Sequence, residues 1–352
     1  MLFEIHELAS VNSSAKGANW KTFSRSPDDY LCLEIPFLSR KPFMVALAQR
    51  RVEKSAMSEI LSHDPNATSL ETALTDIRIR VSASENAEQL LKIVDELATF
   101  EFGRFLMLNS GGWDGFWTWN VISRPDRDEP YSCELEKFLF LEAPTVQATR
   151  ERFHLFQAAI ETEIKPGMEV ASLPCGLMAD LLTLKPVDAR FVGLDLDEKS
   201  LELAADFAVE KNLESRSEFI QADAWNLDIE DRFDVLTSNG LNIYERDDER
   251  VTELYRSFAT ALKPGGLLVT SFLTPPPPLA GPEGCEWIFP NIDPVALEQQ
   301  RLVFAEILDA TWASYRSTQT TRQQLLAAGF EQIEFNPGTT GMFPTVTARK
   351  AA

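Results

Sequence analysis

The sequence predicts an α/β fold: a mainly parallel, nucleotide-binding sheet preceded by a mainly helical N-terminal region. Three stretches predict it. Glu169-Val-Ala-Ser-Leu-Pro-Cys-Gly-Leu-Met178 is a short apolar run closed by a tight turn at Cys175-Gly176, and Phe191-Val-Gly-Leu-Asp-Leu-Asp197 is a second run ending in acid. Strand, turn, helix, strand and acid form half of a nucleotide-binding unit. The turn brings backbone close to a ligand, and the acid accepts from ribose hydroxyls. The third stretch is the alternation of strands and helices that continues to the C-terminus.

Taken in order, Ile220-Gln-Ala-Asp223-Ala-Trp-Asn226 reads as a third strand ending in an acid and an aromatic residue. Arg232-Phe-Asp-Val-Leu-Thr-Ser-Asn-Gly-Leu-Asn-Ile-Tyr-Glu245 is a buried strand running into a polar loop. Val251, Leu254, Tyr255, Phe258 and Leu262 repeat at helical spacing, Lys263-Pro-Gly-Gly266 stops that helix, and Leu267–Phe272 supplies the next strand. Four prolines, 275–278, force a stiff extended segment that leads into an insertion over 279–313 containing Trp287, Phe289 and Trp312. A last helix over 321–330 stops at a glycine, and 331–335 with 342–348 close the sheet as an antiparallel pair.

Upstream, apolar spacing predicts helices over 42–61, 70–81 and 87–108. Asn109-Ser-Gly-Gly-Trp-Asp-Gly-Phe-Trp-Thr-Trp-Asn120 reads as an aromatic loop that either packs as filling or lines a pocket. A helix over 145–160 carries Arg150 and Arg152 into the sheet domain, where one arginine could reach a carboxylate. The predicted division is 1–143, a helical lid or dimerisation domain, and 144–352, the cofactor-binding domain with its 279–313 insertion.

Composition narrows the function. The 352 residues are 44% hydrophobic and carry a formal net charge of −21. Such a surface repels phosphate backbones, which argues against nucleic-acid partners and favours a cationic or neutral small molecule. No apolar run approaches the roughly twenty residues that span a bilayer. The start is acidic where an export signal is basic, so a cytoplasmic protein is expected. Four scattered cysteines and three histidines lack paired ligand spacing, and neither a disulfide nor a metal is expected.

Over roughly residues 145 to 350 these motifs, in this order, resemble the class I S-adenosyl-L-methionine (SAM)-dependent methyltransferases. The Lys-Pro-Gly-Gly turn before the fifth strand and the closing antiparallel pair are typical of that family. The resemblance implies a Rossmann-like seven-stranded sheet with an antiparallel final strand, SAM as cofactor and a small-molecule acceptor. It places Pro174, Cys175 and Gly176 at the methionine end of SAM, Asp195 on the ribose hydroxyls and Leu196 on the adenine. Asp223, Ala224 and Trp225 fall beside the adenine ring, and Asn239 and Gly240 border the sulfonium. The sequence departs from the pattern at Ser172, where the family has an acid, and at Pro174 and Met178, where it has glycines.

The loop 239–245 falls where the family positions its acceptor, so Asn239, Asn242 and Tyr244 are expected to orient a lone pair and Glu245 to serve as base or cation anchor. An asparagine-rich loop ending in an acid favours methylation of an amine or guanidine, free arginine included, in a biosynthetic role. An O-methyltransferase and a catalytically silent SAM-binding scaffold are the alternatives. Helical extensions of this kind imply a homodimer.

Overall fold

A computed structural model describes residues 69–280, 284–311 and 313–352. The helix expected over 42–61, and Trp312, lie outside the described residues. Residues Asp64–Ala352 form one compact unit.

Its centre is a seven-stranded sheet of β1 (Glu169–Ser172), β2 (Arg190–Asp195), β3 (Ser217–Gln221), β4 (Phe233–Ser238), β5 (Leu262–Ser271), β6 (Phe330–Asn336) and β7 (Thr345–Lys350), in the order β3-β2-β1-β4-β5-β7-β6. The first five strands are parallel and β7 runs antiparallel to both β5 and β6. The order reverses at β1, so the ends of β1 and β4 border the crevice where ligands bind in open α/β sheets. Val170, Ala171, Val192, Leu194, Val235 and Leu236 are buried, as expected of strands covered on both faces.

The predicted alternation holds, with one difference at the Lys-Pro-Gly-Gly turn. The turn is drawn into β5: Leu262 pairs with Phe233, pairing lapses, and it resumes at Val235 with Leu267. Gly265 takes φ +75°, and a Cβ on Gly266 would stand 2.8 Å from the Lys263 carbonyl oxygen, so two glycines let the strand bulge and continue.

The helices before the sheet are α1 (Leu70–Val81), α2 (Ala87–Leu97), α3 (Glu101–Leu108), α4 (Gly115–Ser123), the short α5 (Glu134–Lys137) and α6 (Pro144–Glu163). The single helix expected over 87–108 is two. The chain turns back at Ala98–Phe100, and α3 meets the end of α2 so closely that a Cβ on Gly103 would lie 2.2 Å from the Leu97 carbonyl oxygen. The aromatic stretch expected as a loop is largely α4, started by Asp114 accepting from the Trp117 N–H at 2.7 Å. Phe116, Trp117 and Trp119 are all buried, and Trp117 stacks on Phe102 with centroids 4.9 Å apart. These rings fill the interior.

Between the strands lie α7 (Ala179–Leu182), α8 (Glu198–Glu210) and α9 (Asp248–Ala261), with α10 (Pro294–Arg301) in the insertion and α11 (Thr318–Ala327) before β6. The insertion docks on the N-terminal helices, where Arg80 donates to the carbonyls of Glu306 and Ile307 at 2.8 and 2.6 Å. Among the described residues no helix is long and apolar enough to cross a membrane.

Candidate active site

Strand β2 ends in Asp195, a buried carboxylate held by two backbone donors: the N–H of Gly176 at 3.0 Å and that of Asp197 at 3.1 Å. Burial pushes its carboxyl above the usual range while these N–H groups pull it back. Next to it Leu196 is 66% exposed, an apolar side chain held in the open beside a ligand-type acid. Asp223 is exposed after β3, and its carboxylate accepts from the Trp225 N–H at 3.0 Å. Ala224 is buried, and Trp225 is fixed by donating from its ring nitrogen to the Arg250 carbonyl at 2.9 Å. Asp195, Leu196, Asp223, Ala224 and Trp225 thus gather at the adjacent ends of β2 and β3, as the sequence predicts.

The β1 turn is built differently from the glycine-rich form. Cys175 is buried and its N–H donates to the Leu194 carbonyl at 2.8 Å; burial pushes its thiol well up, so it is a packing group. Pro174 is half-buried beside it. Met178 takes the left-handed φ of +51° that a glycine would favour and is wholly buried. Gly176, at φ +50°, faces Gly115 at the start of α4; a Cβ on Gly115 would stand 2.6 Å from the Gly176 Cα. The N-terminal helices therefore reach the cofactor turn backbone to backbone.

Ser172 has a counterpart that sequence reading missed. Its hydroxyl donates to Asp180 at 3.1 Å, and Thr237 of β4 donates to the same carboxylate at 2.6 Å. An acid absent from β1 thus stands on α7, buried between β1 and β4, and burial pushes its carboxyl up. The signal was present in the sequence as one acid in the otherwise apolar run Leu177–Leu182.

Beyond β4 the predicted acceptor loop divides. Asn239 has a buried side-chain oxygen with no partner among the described residues, and Gly240 is buried at φ +89°. Tyr244 is 49% exposed. Burial nevertheless raises its hydroxyl, while Arg152 and the backbone N–H of Trp113 pull it back. The other two predicted residues do not join Tyr244. Asn242 turns into the core, 2% exposed, with its amide donating to the Tyr255 hydroxyl at 2.8 Å. Glu245 lies just before α9, whose N-cap is Asp247: it accepts from the Asp247 N–H at 2.9 Å and pairs with Arg250 at 3.2 Å.

Arg152 comes close to this loop instead. It projects from α6 with 7% exposure, and its Nη1 lies 4.0 Å from where a Cβ on Gly240 would stand. Arg150, in contrast, is tied to the carbonyls of Val121 and Phe140. His154, two residues from Arg152 and so on a different face of α6, is exposed.

The residues present fit SAM. An acid with free lone pairs, an open apolar side chain, a glycine turn and an orphaned amide oxygen lie along the ends of β2, β1 and β4. Asp195 would hold the ribose, Leu196 and Trp225 the adenine, and Asn239 the charged methionine end.

A profile described as a methyltransferase domain matches residues 170–266. A possible exported protein from Bordetella parapertussis is 38% identical, with a TM-score of 0.78, over 83% of this chain and 100% of its own. Magnesium protoporphyrin IX methyltransferase from Synechocystis PCC 6803, solved with bound SAH, is 15% identical at a TM-score of 0.46, over 67% of this chain and 94% of its own. Geranyl diphosphate C-methyltransferase from Streptomyces coelicolor A3(2) is 12% identical at 0.43, over 65% and 88%. No curated protein matches the sequence.

Proposed function

We propose that this chain, whose residues 170–266 match a methyltransferase domain, binds SAM across Gly176, Asp195, Leu196, Asp223, Trp225 and Asn239 and methylates a small molecule held beside Tyr244 and Gly240. The observation that carries this reading is the buried Asp195, aimed by two backbone N–H groups beside the exposed Leu196. When bound, SAM supplies an electrophilic methyl group, whose bond to sulfur breaks with its electron pair left on sulfur as the acceptor's lone pair attacks.

The protein's own part is alignment and exclusion of water. Asn239 and Gly240 border the transferred group, and Tyr244 orients the acceptor by hydrogen bonding. Tyr244 is a poor base, since a phenol keeps its proton at neutral pH. Glu245 is engaged just before α9 and His154 lies on another face of its helix. These placements favour an acceptor that brings its own lone pair at neutral pH, a neutral amine or an already ionised oxygen, and they leave a guanidine without the carboxylate that the sequence offered it.

In the same proposal residues 1–143 serve as lid and dimer surface. A cytoplasmic setting is part of the same proposal. Calorimetric titration with S-adenosylhomocysteine (SAH), with NAD as control, tests the function. Micromolar binding is expected, weakened about tenfold or more in Asp195→Ala by loss of a charged hydrogen-bond acceptor. Absence of SAH binding by the folded wild type would sink the proposal.

A further inference from the structure

Arg152 is a buried cation that pairs with no acid among the described residues. Its one hydrogen bond among the described residues is a long one, Nη1 to the Ser271 hydroxyl at 3.4 Å, and its Nε has no partner among them. The adjacent acid does not neutralise it, because both Glu151 oxygens are taken by the N–H and hydroxyl of Thr339 at 2.9 Å. Its guanidinium lies over the Phe343 ring, 4.6 Å from the centroid. Burial lowers its pKa to about 10, with Tyr244 the one group that opposes the shift. Burying an unpaired charge costs several kcal/mol, and such groups are ordinarily paired or neutralised.

The surroundings say what would pair it. Gly240 follows β4, Ser271 ends β5 and Phe343 precedes β7, so Arg152 serves the β4–β5–β7 side of the sheet. Asp195 and Leu196 stand on β2, toward the opposite edge. The loop carrying Phe343 is anchored: the Thr274 hydroxyl donates to the Gly341 carbonyl at 2.7 Å and accepts from the Trp287 ring nitrogen at 3.0 Å. The other arginine of the turn, Arg150, is spent on backbone carbonyls. One guanidinium fork suits a planar monoanion, whereas a phosphate collects several donors.

We propose that Arg152 anchors a carboxylate on the methyl acceptor, beside the Phe343 ring, Tyr244 and Gly240. The acceptor is then a small carboxylic acid with a planar or apolar body. A surface of −21 charge does not oppose this, because the cation is internal and only a desolvated monoanion reaches it. The proposal deepens the methyltransferase reading and rests on it for the words "methyl acceptor".

The test uses the full chain, with and without saturating SAH. A panel of monocarboxylates from acetate through benzoate to indole-3-carboxylate, each with its neutral amide, is titrated by calorimetry. Carboxylates are expected to bind about tenfold or more tighter than their amides. Arg152→Gln should erase that preference while changing SAH affinity less than about threefold, and Arg152→Lys, which keeps the charge but not the fork, should restore part of it. No carboxylate preference anywhere in the panel overturns the proposal. So does loss of SAH binding in an Arg152→Gln protein with unchanged circular dichroism, since the guanidinium would then hold the cofactor's own carboxylate. Failure of the wild type to bind SAH strikes the methyltransferase reading instead, while the carboxylate preference, measured also without SAH, stands or falls separately.

Discussion

On the β1–β2–β3 side, every proposed cofactor contact comes from the stretch between Pro174 and Trp225, and each lies at a strand end or in the turn just after one. On the β4–β5–β7 side the groups around the proposed acceptor site are Trp113, Arg152, Gly240, Tyr244, Ser271 and Phe343, five separate segments scattered over most of the described chain. The first half is a local device, fixed by strand, turn and acid at short spacing. The second half is a convergence, and it exists only once α6, the β4 loop, the end of β5 and the β6–β7 loop have packed together. Cofactor chemistry shared by many enzymes can be written in one short stretch. An acceptor pocket is assembled from whatever surrounds the open end of the sheet.

The two halves meet at Gly115 and Gly176, and the sharpest way to break the comparison is there. Gly115→Val would drive a Cβ to 2.6 Å from the Gly176 Cα, against backbone that cannot rotate away. We expect a stability loss of about 3 kcal/mol and SAH binding weakened about tenfold, read by thermal unfolding and calorimetry. Unchanged SAH affinity would mean that the cofactor turn is autonomous of the N-terminal helices.

The loop of the acceptor half is pinned from behind by Asn242 and Tyr255. Burial pushes the Tyr255 hydroxyl up to about 12, so the folded protein keeps a proton that the unfolded chain releases near pH 10. The stability this group supplies is therefore complete below pH 10 and is lost as pH rises toward 12, by about 2 to 3 kcal/mol. Denaturant unfolding between pH 9 and 12 in wild type and Tyr255→Phe checks it: the variant should show a correspondingly shallower decline.

The smallest effect is expected outside both halves. Glu245→Gln removes a half-exposed ion pair with Arg250, worth no more than about 0.5 kcal/mol. Methyl transfer should stay within about twofold of wild type once a substrate is in hand. A loss of tenfold or more would return Glu245 to the reacting centre and revive the guanidine acceptor.

Much of the fold could be read from residues alone. Strand-forming runs, the acids at 195 and 223, and the amphipathic spacing of Val251, Leu254, Tyr255 and Phe258 are local signals, and local signals survive without a structure. Where reading failed, distant packing had overridden the local pattern. Gly103 reads as an ordinary helix residue until α3 is laid against Leu97, and the glycine-flanked tryptophans read as a loop until Asp114 caps them and Phe102 and Phe140 bury them.

The same division holds for chemistry. Asn242 and Glu245 have side chains suited to a reacting loop, but only tertiary contacts show that the Asn242 amide N–H goes to Tyr255, its oxygen left without a partner among the described residues, and that Glu245 pairs with Arg250. Arg152 and Glu151 are neighbours that sequence would pair with the surface. Packing gives the acid to Thr339 and leaves the base buried with no acid partner among the described residues. By itself the sequence determined the sheet, the turn after β1 and the acids that end β2 and follow β3, because those depend on neighbours close along the chain. Which polar side chains remain unspent, and so available to a substrate, was decided only by the tertiary structure, because desolvation and pairing depend on neighbours close in space.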